Sequence, residues 1–338
     1  MERTVNVGLI GAGRIGRLHA ETLAHRVRGV SLLAVADVVF EAAEKLAADF
    51  DVPSALKDHR NILDDPKIEA VAICSSTDTH ASFIEQAAQA GKHIFCEKPI
   101  DYDLKRIDRT LKAVEKAGVK LQIGFNRRFD PSFKKARTMV ADGKIGTPHI
   151  VRITSRDPKT PPLGFVERSG GMFADMTIHD FDMARYLVGS DVEEIYAIGT
   201  VLVDPAIGKL GDIDTAVVVL RYENGAIGVI DNSRQAVYGY DQRIEVFGSK
   251  GGIVVSNPTP DLAVLSDADG VYSAKPLYYF PERYAESFIA EVREFIECVQ
   301  EDRVPPVTGI DARIPVAMAI AALKSSRENR PVKLSEIG

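Results

Sequence analysis

Cysteine is scarce in this chain: Cys74, Cys96 and Cys298 are the only three in 338 residues, and no C-x-x-C pair occurs. That argues against a disulfide framework or a structural zinc site and leaves reduced, mostly buried thiols as the expectation. No apolar run approaches the roughly 18 residues of a membrane-spanning helix. The N-terminal MERTVNVGLI runs straight into a strand, without the basic, apolar and small-residue succession of an export signal, so a soluble, cytoplasmic chain is expected. Neither sign of charge dominates: 42 Lys and Arg face 48 Asp and Glu, a net charge of −6. With no long basic run, neither nucleic acid nor a membrane surface is an expected partner, and a small neutral ligand or a cofactor fits better.

What is present is enough chain for two domains at about 150 residues each, and 45% hydrophobic residues to build their cores. Residues 5–10, 31–37, 70–76, 93–98 and 120–125 are short, almost continuously apolar runs, as parallel strands covered on both faces require. Amphipathic segments at 14–27, 40–50, 79–90 and 103–117 alternate with them. The fold class this predicts is α/β, with a doubly wound, Rossmann-type dinucleotide-binding domain over 1–124.

Beyond residue 125 the rhythm changes. A helix at 131–142 leads to a strand at 149–157, and strand-like runs at 192–204, 214–222, 226–234 and 242–248 follow without helices of their own. Such a series predicts an α+β domain over 125–338 built on an open, mainly antiparallel sheet. Residues 256–280 read as loop, and helices at 282–300 and 311–327 close the chain, the last expected to pack back toward the first domain.

Four motifs carry the chemistry. In GLIGAGRIG (8–16), Gly11, Gly13 and Gly16 form G-x-G-x-x-G between a strand and a helix, with Asp37 ending the next strand. Gly11 permits the turn, Gly13 lets the backbone approach a pyrophosphate, and Gly16 allows close packing of helix on strand. Arg14 and Ile15 lie inside the loop; Arg14 either reaches a phosphate or is an exposed first-turn residue. Asp37 suits both ribose hydroxyls of NAD and would repel the 2′-phosphate of NADP. In SSTDTHASF (75–83), Ser75, Ser76 and Thr77 stand at a strand end, where they either cap a helix or touch the cofactor, and His80 has the same two roles open to it. FCEKPI (95–100) places Glu97 and Lys98 at the end of the fifth strand, where a lysine becomes a candidate to bind an oxygen whose charge changes in a reaction. ADMTIHDFD (174–182) spaces Asp175 and His179 by four, which on one helix puts them on one face. The histidines form no metal-ligand spacing, and no metal site is expected.

Taken together, G-x-G-x-x-G at 11–16, Glu97-Lys98-Pro99, and Asp175 with His179 resemble the Gfo/Idh/MocA oxidoreductases. GFNRRFD (124–130), ITSRDP (153–158), SGGMFADMTIHDFDMARYLVG (169–189) and YGYDQRIEVFGSKG (238–251) are more narrowly similar to the inositol 2-dehydrogenase branch of that family. The resemblance implies NAD-dependent oxidation of an inositol ring hydroxyl, with Lys98, Asp175 and His179 as the catalytic set. His179 would take the hydroxyl proton, Asp175 would orient the network, and Lys98 would hold the reacting oxygen. It further implies polyol contacts from Asn126, Arg127, Ser155, Asp157 and Tyr240, a cis bond between Lys98 and Pro99, and a homodimer or homotetramer built through the C-terminal sheet. Ser155 and Asp157 stand where some members carry His and Asn, which leaves the preferred stereoisomer open. Two other classes share the fold: a glycosidase that oxidises and re-reduces its sugar with tightly held NAD, and a silent sugar- or NAD-sensing regulator. Lys98, Asp175 and His179 argue against the silent regulator.

Overall fold

The computed structural model describes residues 3–338, which divide into two compact units, one of residues 3–129 and 286–314 and the other of 130–285 and 315–338. The first unit is built on six parallel strands: β1 (Val5–Ile10), β2 (Val30–Ala36), β3 (Ser54–Leu56), β4 (Ala70–Ile73), β5 (His93–Cys96) and β6 (Leu121–Ile123). Their order across the sheet is β3-β2-β1-β4-β5-β6, so the winding reverses between β1 and β4. Both neighbouring loops open there, which is where doubly wound sheets hold ligands. Helices α1 (Arg14–Glu21), α2 (Phe40–Asp49), α3 (Arg60–Asp64), α4 (Thr77–Gln89) and α5 (Leu104–Ala117) connect the strands. Asp103 starts α5 by accepting from the N–H groups of Lys105 and Arg106, and Gly118 ends it in a left-handed conformation.

Two local departures from the periodicity have physical causes. The helix expected over 14–27 ends at Glu21 and continues as one wider turn, Thr22–Arg26. There the Thr22 hydroxyl donates to the Leu18 carbonyl, and Val27 N–H reaches back five residues to Thr22. β3 and α3 are too short to imprint a period on the sequence.

The second unit begins with α6 (Pro131–Ala141), whose first turn is capped by Asp130. There follow β7 (Pro148–Arg156), α7 (Leu163–Val166), α8 (Met172–Asp175), α9 (Thr177–Val188), β8 (Val192–Thr200), α10 (Pro205–Lys209), β9 (Thr215–Tyr222), β10 (Ile227–Ser233), β11 (Asp241–Gly248) and β12 (Gly251–Val255). The segment read as loop holds a two-stranded hairpin, β13 (Val264–Ser266) and β14 (Val271–Ser273), exposed throughout. Then come α11 (Phe280–Arg283), α12 (Ala285–Gln300), α13 (Gly309–Glu328) and β15 (Val332–Lys333).

The seven-stranded sheet runs β12-β11-β7-β10-β9-β8-β15, antiparallel throughout except for the parallel pair β7 and β10. Strict alternation makes it one-sided. In β9, Ala216, Val218, Leu220 and Tyr222 are buried, whereas Val217, Val219 and Arg221 face outward. From Glu286 onward α12 belongs to the first unit, where Ile289, Val292, Phe295, Ile296 and Val299 join the core formed by β1, β2, β4 and β5. All three cysteines are free and buried.

Candidate functional site

The glycine loop follows β1 directly. Gly11 has φ +104°, and a β-carbon there would lie 2.6 Å from the backbone of Cys74 and Ser75, so the loop after β1 presses on the loop after β4. A β-carbon on Gly16 would meet the Gly11 carbonyl oxygen at 1.9 Å, which fixes how closely α1 approaches. Gly13 differs: nothing lies within 4 Å of its absent side chain, and as the residue before α1 it supplies no side-chain cap. The first N–H groups of α1 therefore carry the positive end of the helix dipole beside open backbone, a fitting seat for a diphosphate.

Asp37, just past β2, is held in place by the same loop. One carboxylate oxygen accepts from Ala12 N–H at 2.7 Å and the other from Val39 N–H at 2.8 Å. A carboxylate offers about four lone-pair directions, so acceptors remain for hydroxyls. Arg14 is exposed and Ile15 half-buried on the first turn of α1. The residues present thus fit an adenine dinucleotide without a 2′-phosphate.

The loops after β4 and β5 are tied by one side chain. His80, buried on α4, places Nδ1 2.7 Å from the Pro99 carbonyl oxygen and Nε2 3.0 Å from that of Ser75. It is neither a helix cap nor an exposed residue. Ser76 occupies the position before α4 without a side-chain capping bond, and Thr77 opens the helix. Thr79, which the sequence reading did not single out, donates to the Ser76 carbonyl at 2.7 Å, so the Ser75 hydroxyl, 2.6 Å away, donates to Thr79. Glu97 is anchored to β4 through its N–H and the Ile73 carbonyl, and its carboxylate lies 2.7 Å from Nε2 of buried His19. Lys98, half-buried, follows directly, and its bond to Pro99 is cis. Asn126 and Arg127 are buried in a single turn after β6, also in the first unit.

In the second unit, Asp175 and His179 lie on consecutive helices instead of one. Asp175 is the last residue of α8, Met176 turns the chain, and His179 N–H bonds to the Met176 carbonyl, three residues back. Gly171 enters α8 at φ +84°, and Asp212 caps that helix by accepting from Met172 N–H at 3.0 Å.

The sequence reading missed Arg234, which organises this region. Its guanidinium, 3% exposed, donates to Asp175 at 3.0 Å and lies 3.5 Å from Asp157. Burial works against its charge, but the carboxylates of Asp175 and Asp157 outweigh that and raise its pKa above the usual arginine value. One guanidinium nitrogen, Nη1, reaches both carboxylates and so ties their orientations to each other.

Asn232, also missed, is buried; it donates to Asp180 at 2.8 Å and accepts from Thr177 at 2.6 Å, locking α9 onto β10. Ser155 is wholly buried, its hydroxyl exchanging hydrogen bonds with Gln242. Tyr284 donates to the same Gln242 at 3.3 Å, and Tyr240 packs edge-on to Tyr279 and Tyr284. A cavity of about 420 Å³ in this unit is lined by Pro158, Val237, Tyr238, Pro276, Tyr278 and Glu282 among others, and by none of the candidate residues.

Residues 5–125 match the model of an oxidoreductase family with an NAD-binding Rossmann fold, and residues 133–254 match the GFO/IDH/MocA C-terminal domain. The chain is 50% identical to a myo-inositol 2-dehydrogenase of Thermotoga maritima, over 98% of this chain and 99% of that one. It is 45% identical to an inositol 2-dehydrogenase of Rhizobium meliloti, over 98% and 100% respectively. The crystal structure of a scyllo-inositol dehydrogenase from Lactobacillus casei, with NAD(H) and scyllo-inositol bound, superposes with a TM-score of 0.93 at 30% identity, covering 98% of this chain and all of that one. With an NAD-fitting glycine loop, a one-sided second sheet and both family domains matched, the chain belongs to the Gfo/Idh/MocA oxidoreductase family.

Proposed function

We propose that the chain is an NAD-dependent inositol 2-dehydrogenase that oxidises a ring hydroxyl of myo-inositol, or of a close isomer, to the keto-inositol in inositol catabolism. What carries the reading is near-full-length identity of 45% and 50% to two proteins of that name, in a chain that has Lys98, Asp175 and His179. NAD, when bound, supplies the hydride acceptor. Gly13 and the start of α1 take its diphosphate, Asp37 its ribose hydroxyls, and Arg14, Ile15, Ser75, Ser76, Thr77, His80 and Glu97 shape the loops around it.

His179 accepts the hydroxyl proton, and Lys98 hydrogen-bonds the oxygen as its bond order to carbon rises. Asp175, held by Arg234, orients this network. Asn126, Arg127, Asp157 and Tyr240 supply donors and acceptors for the remaining ring hydroxyls. Buried Ser155 acts through Gln242 and the tyrosines instead of touching the ring. We further propose a cytoplasmic homodimer or homotetramer formed through the outer face of the second sheet, where Ile198, Val217, Val219, Ile227 and Phe247 are exposed on one face.

The test is NADH formation by the purified protein with NAD, and separately NADP, across myo-, scyllo- and chiro-inositol and glucose. Turnover of an inositol with NAD, lost in Lys98→Ala and His179→Ala, is the expected result. Tight NAD binding with no NADH from any polyol would instead favour internal-redox glycoside cleavage or a sensor.

A further inference from the structure

Helix α12 places a carboxyl group where its pattern calls for an apolar side chain. Phe288, Val292, Phe295 and Val299 form its buried stripe, and Glu291 lies in that stripe, 0% exposed. Neither of its carboxyl oxygens has a hydrogen-bond partner, and one lies within 4.8 Å of Nε2 or Nδ1 of His19 and of a Glu97 oxygen.

Three residues linked to it in sequence or in space also carry orphaned atoms. His19 Nδ1, Gln122 Oε1 and Ser287 Oγ are buried without partners as well. Ser287 is one turn ahead of Glu291 on α12, and Gln122 donates its amide to the Glu291 backbone carbonyl at 2.8 Å. Apart from the Ser287 hydroxyl all of these atoms are acceptors, since the neutral His19 ring gives its one N–H, at Nε2, to Glu97, so the cluster is short of donors. The titratable groups here are His19 from α1, Cys74 after β4, Cys96 at the end of β5 and Glu97 after it, and among the described residues no lysine or arginine acts on Glu291. Burial, and then the charge of Glu97, push the Glu291 carboxyl well above the usual range.

Either a proton or a divalent cation could balance such a group. Metal–ligand bonds of about 2.0–2.2 Å hold neighbouring ligand atoms about 3 Å or more apart. His19 Nε2 and Glu97 are 2.7 Å apart, a hydrogen-bond distance that favours the proton. The Glu97 carboxyl is also cradled from another side: a β-carbon on Gly124 would lie 3.2 Å from its carboxyl carbon and both oxygens.

We propose that Glu291 is a positioning residue for the dehydrogenase reaction: as the neutral acid it donates to the Glu97 carboxylate, which His19 engages at one oxygen only, and so fixes the backbone from which Lys98 projects. The inference rests on the dehydrogenase reading, since Lys98 is the group positioned. Glu291→Gln keeps a donor of the same shape, whereas Glu291→Leu removes it.

The experiment compares both variants with the wild type by kinetics on inositol and NAD, and by infrared difference spectroscopy at neutral pH. Wild type minus Glu291→Gln should show the C=O band of a protonated carboxylic acid. Glu291→Gln should keep kcat within about twofold, whereas Glu291→Leu should lower kcat about ten- to a hundredfold and move its pH profile, with KM for both substrates little changed. Gly124→Ala, which crowds Glu97 from its other side, should reproduce that signature if the leucine variant does not fold. An active wild type with unchanged kcat and pH profile in Glu291→Leu and Gly124→Ala overturns the proposal, as does the absence of the acid band or a stoichiometric divalent ion in the purified protein. A wild type without dehydrogenase activity overturns the reading beneath it, and the positioning role with it.

Discussion

Arg234 governs how two carboxylates of the second unit are presented. Replacing it with methionine leaves Asp175 and Asp157 facing each other without the cation between them, and breaking a buried ion pair from one side costs about 3–5 kcal/mol. Part of that cost falls on the site. Arg234→Met is expected to lose about a hundredfold in kcat/KM, and Arg234→Lys less, because an ammonium keeps the charge but not the reach and planarity of the guanidinium. Steady-state kinetics on the two variants decide it; equal activity in both and in the wild type would remove Arg234 from the account. Asp214 shows a different economy of charge. It is wholly buried, and although burial raises its pKa, the N–H groups of Leu202, Asp204 and Val203 outweigh this and depress it. A depressed folded pKa adds stability that is fully present above the unfolded value of about 3.9 and is lost as pH falls through the folded value. Asp214→Asn should therefore be less stable at neutral pH by about 1.5–3 kcal/mol, with the gap closing below about pH 4. Urea titrations across pH would show it.

At the scale of elements, the glycine loop separates folding from binding. Gly11→Ala forces a β-carbon against the Cys74 and Ser75 backbone and should destabilise the first unit. Gly13→Ala meets nothing, and its φ of −71° suits alanine, so unfolding should change by less than about 0.5 kcal/mol while NAD affinity falls. Thermal melts with and without NAD separate the two; a normal NAD affinity in Gly13→Ala contradicts the assigned seat of the diphosphate.

The loop was legible because its spacing, flanking strand and distant Asp37 are all local. Asp103 and Asp130 cap their helices just as locally, although the sequence reading did not name them as caps. What was not legible depends on tertiary contact. Arg234 reads as an ordinary polar residue at a strand end until the fold buries it between Asp175 and Asp157. The break at Met176 leaves no mark in a four-residue spacing, and the hairpin β13–β14 has no buried face to impose a period. Glu291 was not singled out in the sequence, because its neighbours His19 and Glu97 lie 272 and 194 positions away.

For the whole molecule, strand alternation settled the character of the second sheet, and its exposed apolar face carries the assembly proposal. Val219→Lys, placed among Val217, Ile198 and Ile227 on that face, should yield a smaller species in light scattering with each chain still folded; an unchanged mass would move the interface elsewhere. The central claim is direct hydride transfer from an inositol carbon to NAD. The measurement that tests it most directly is turnover of myo-inositol carrying deuterium at C2, followed by mass analysis of the reduced cofactor. Deuterium recovered in the NADH, with a slowed rate and no turnover in His179→Ala, is the predicted result. Reduced cofactor carrying only solvent hydrogen, or no reduced cofactor at all, would contradict it.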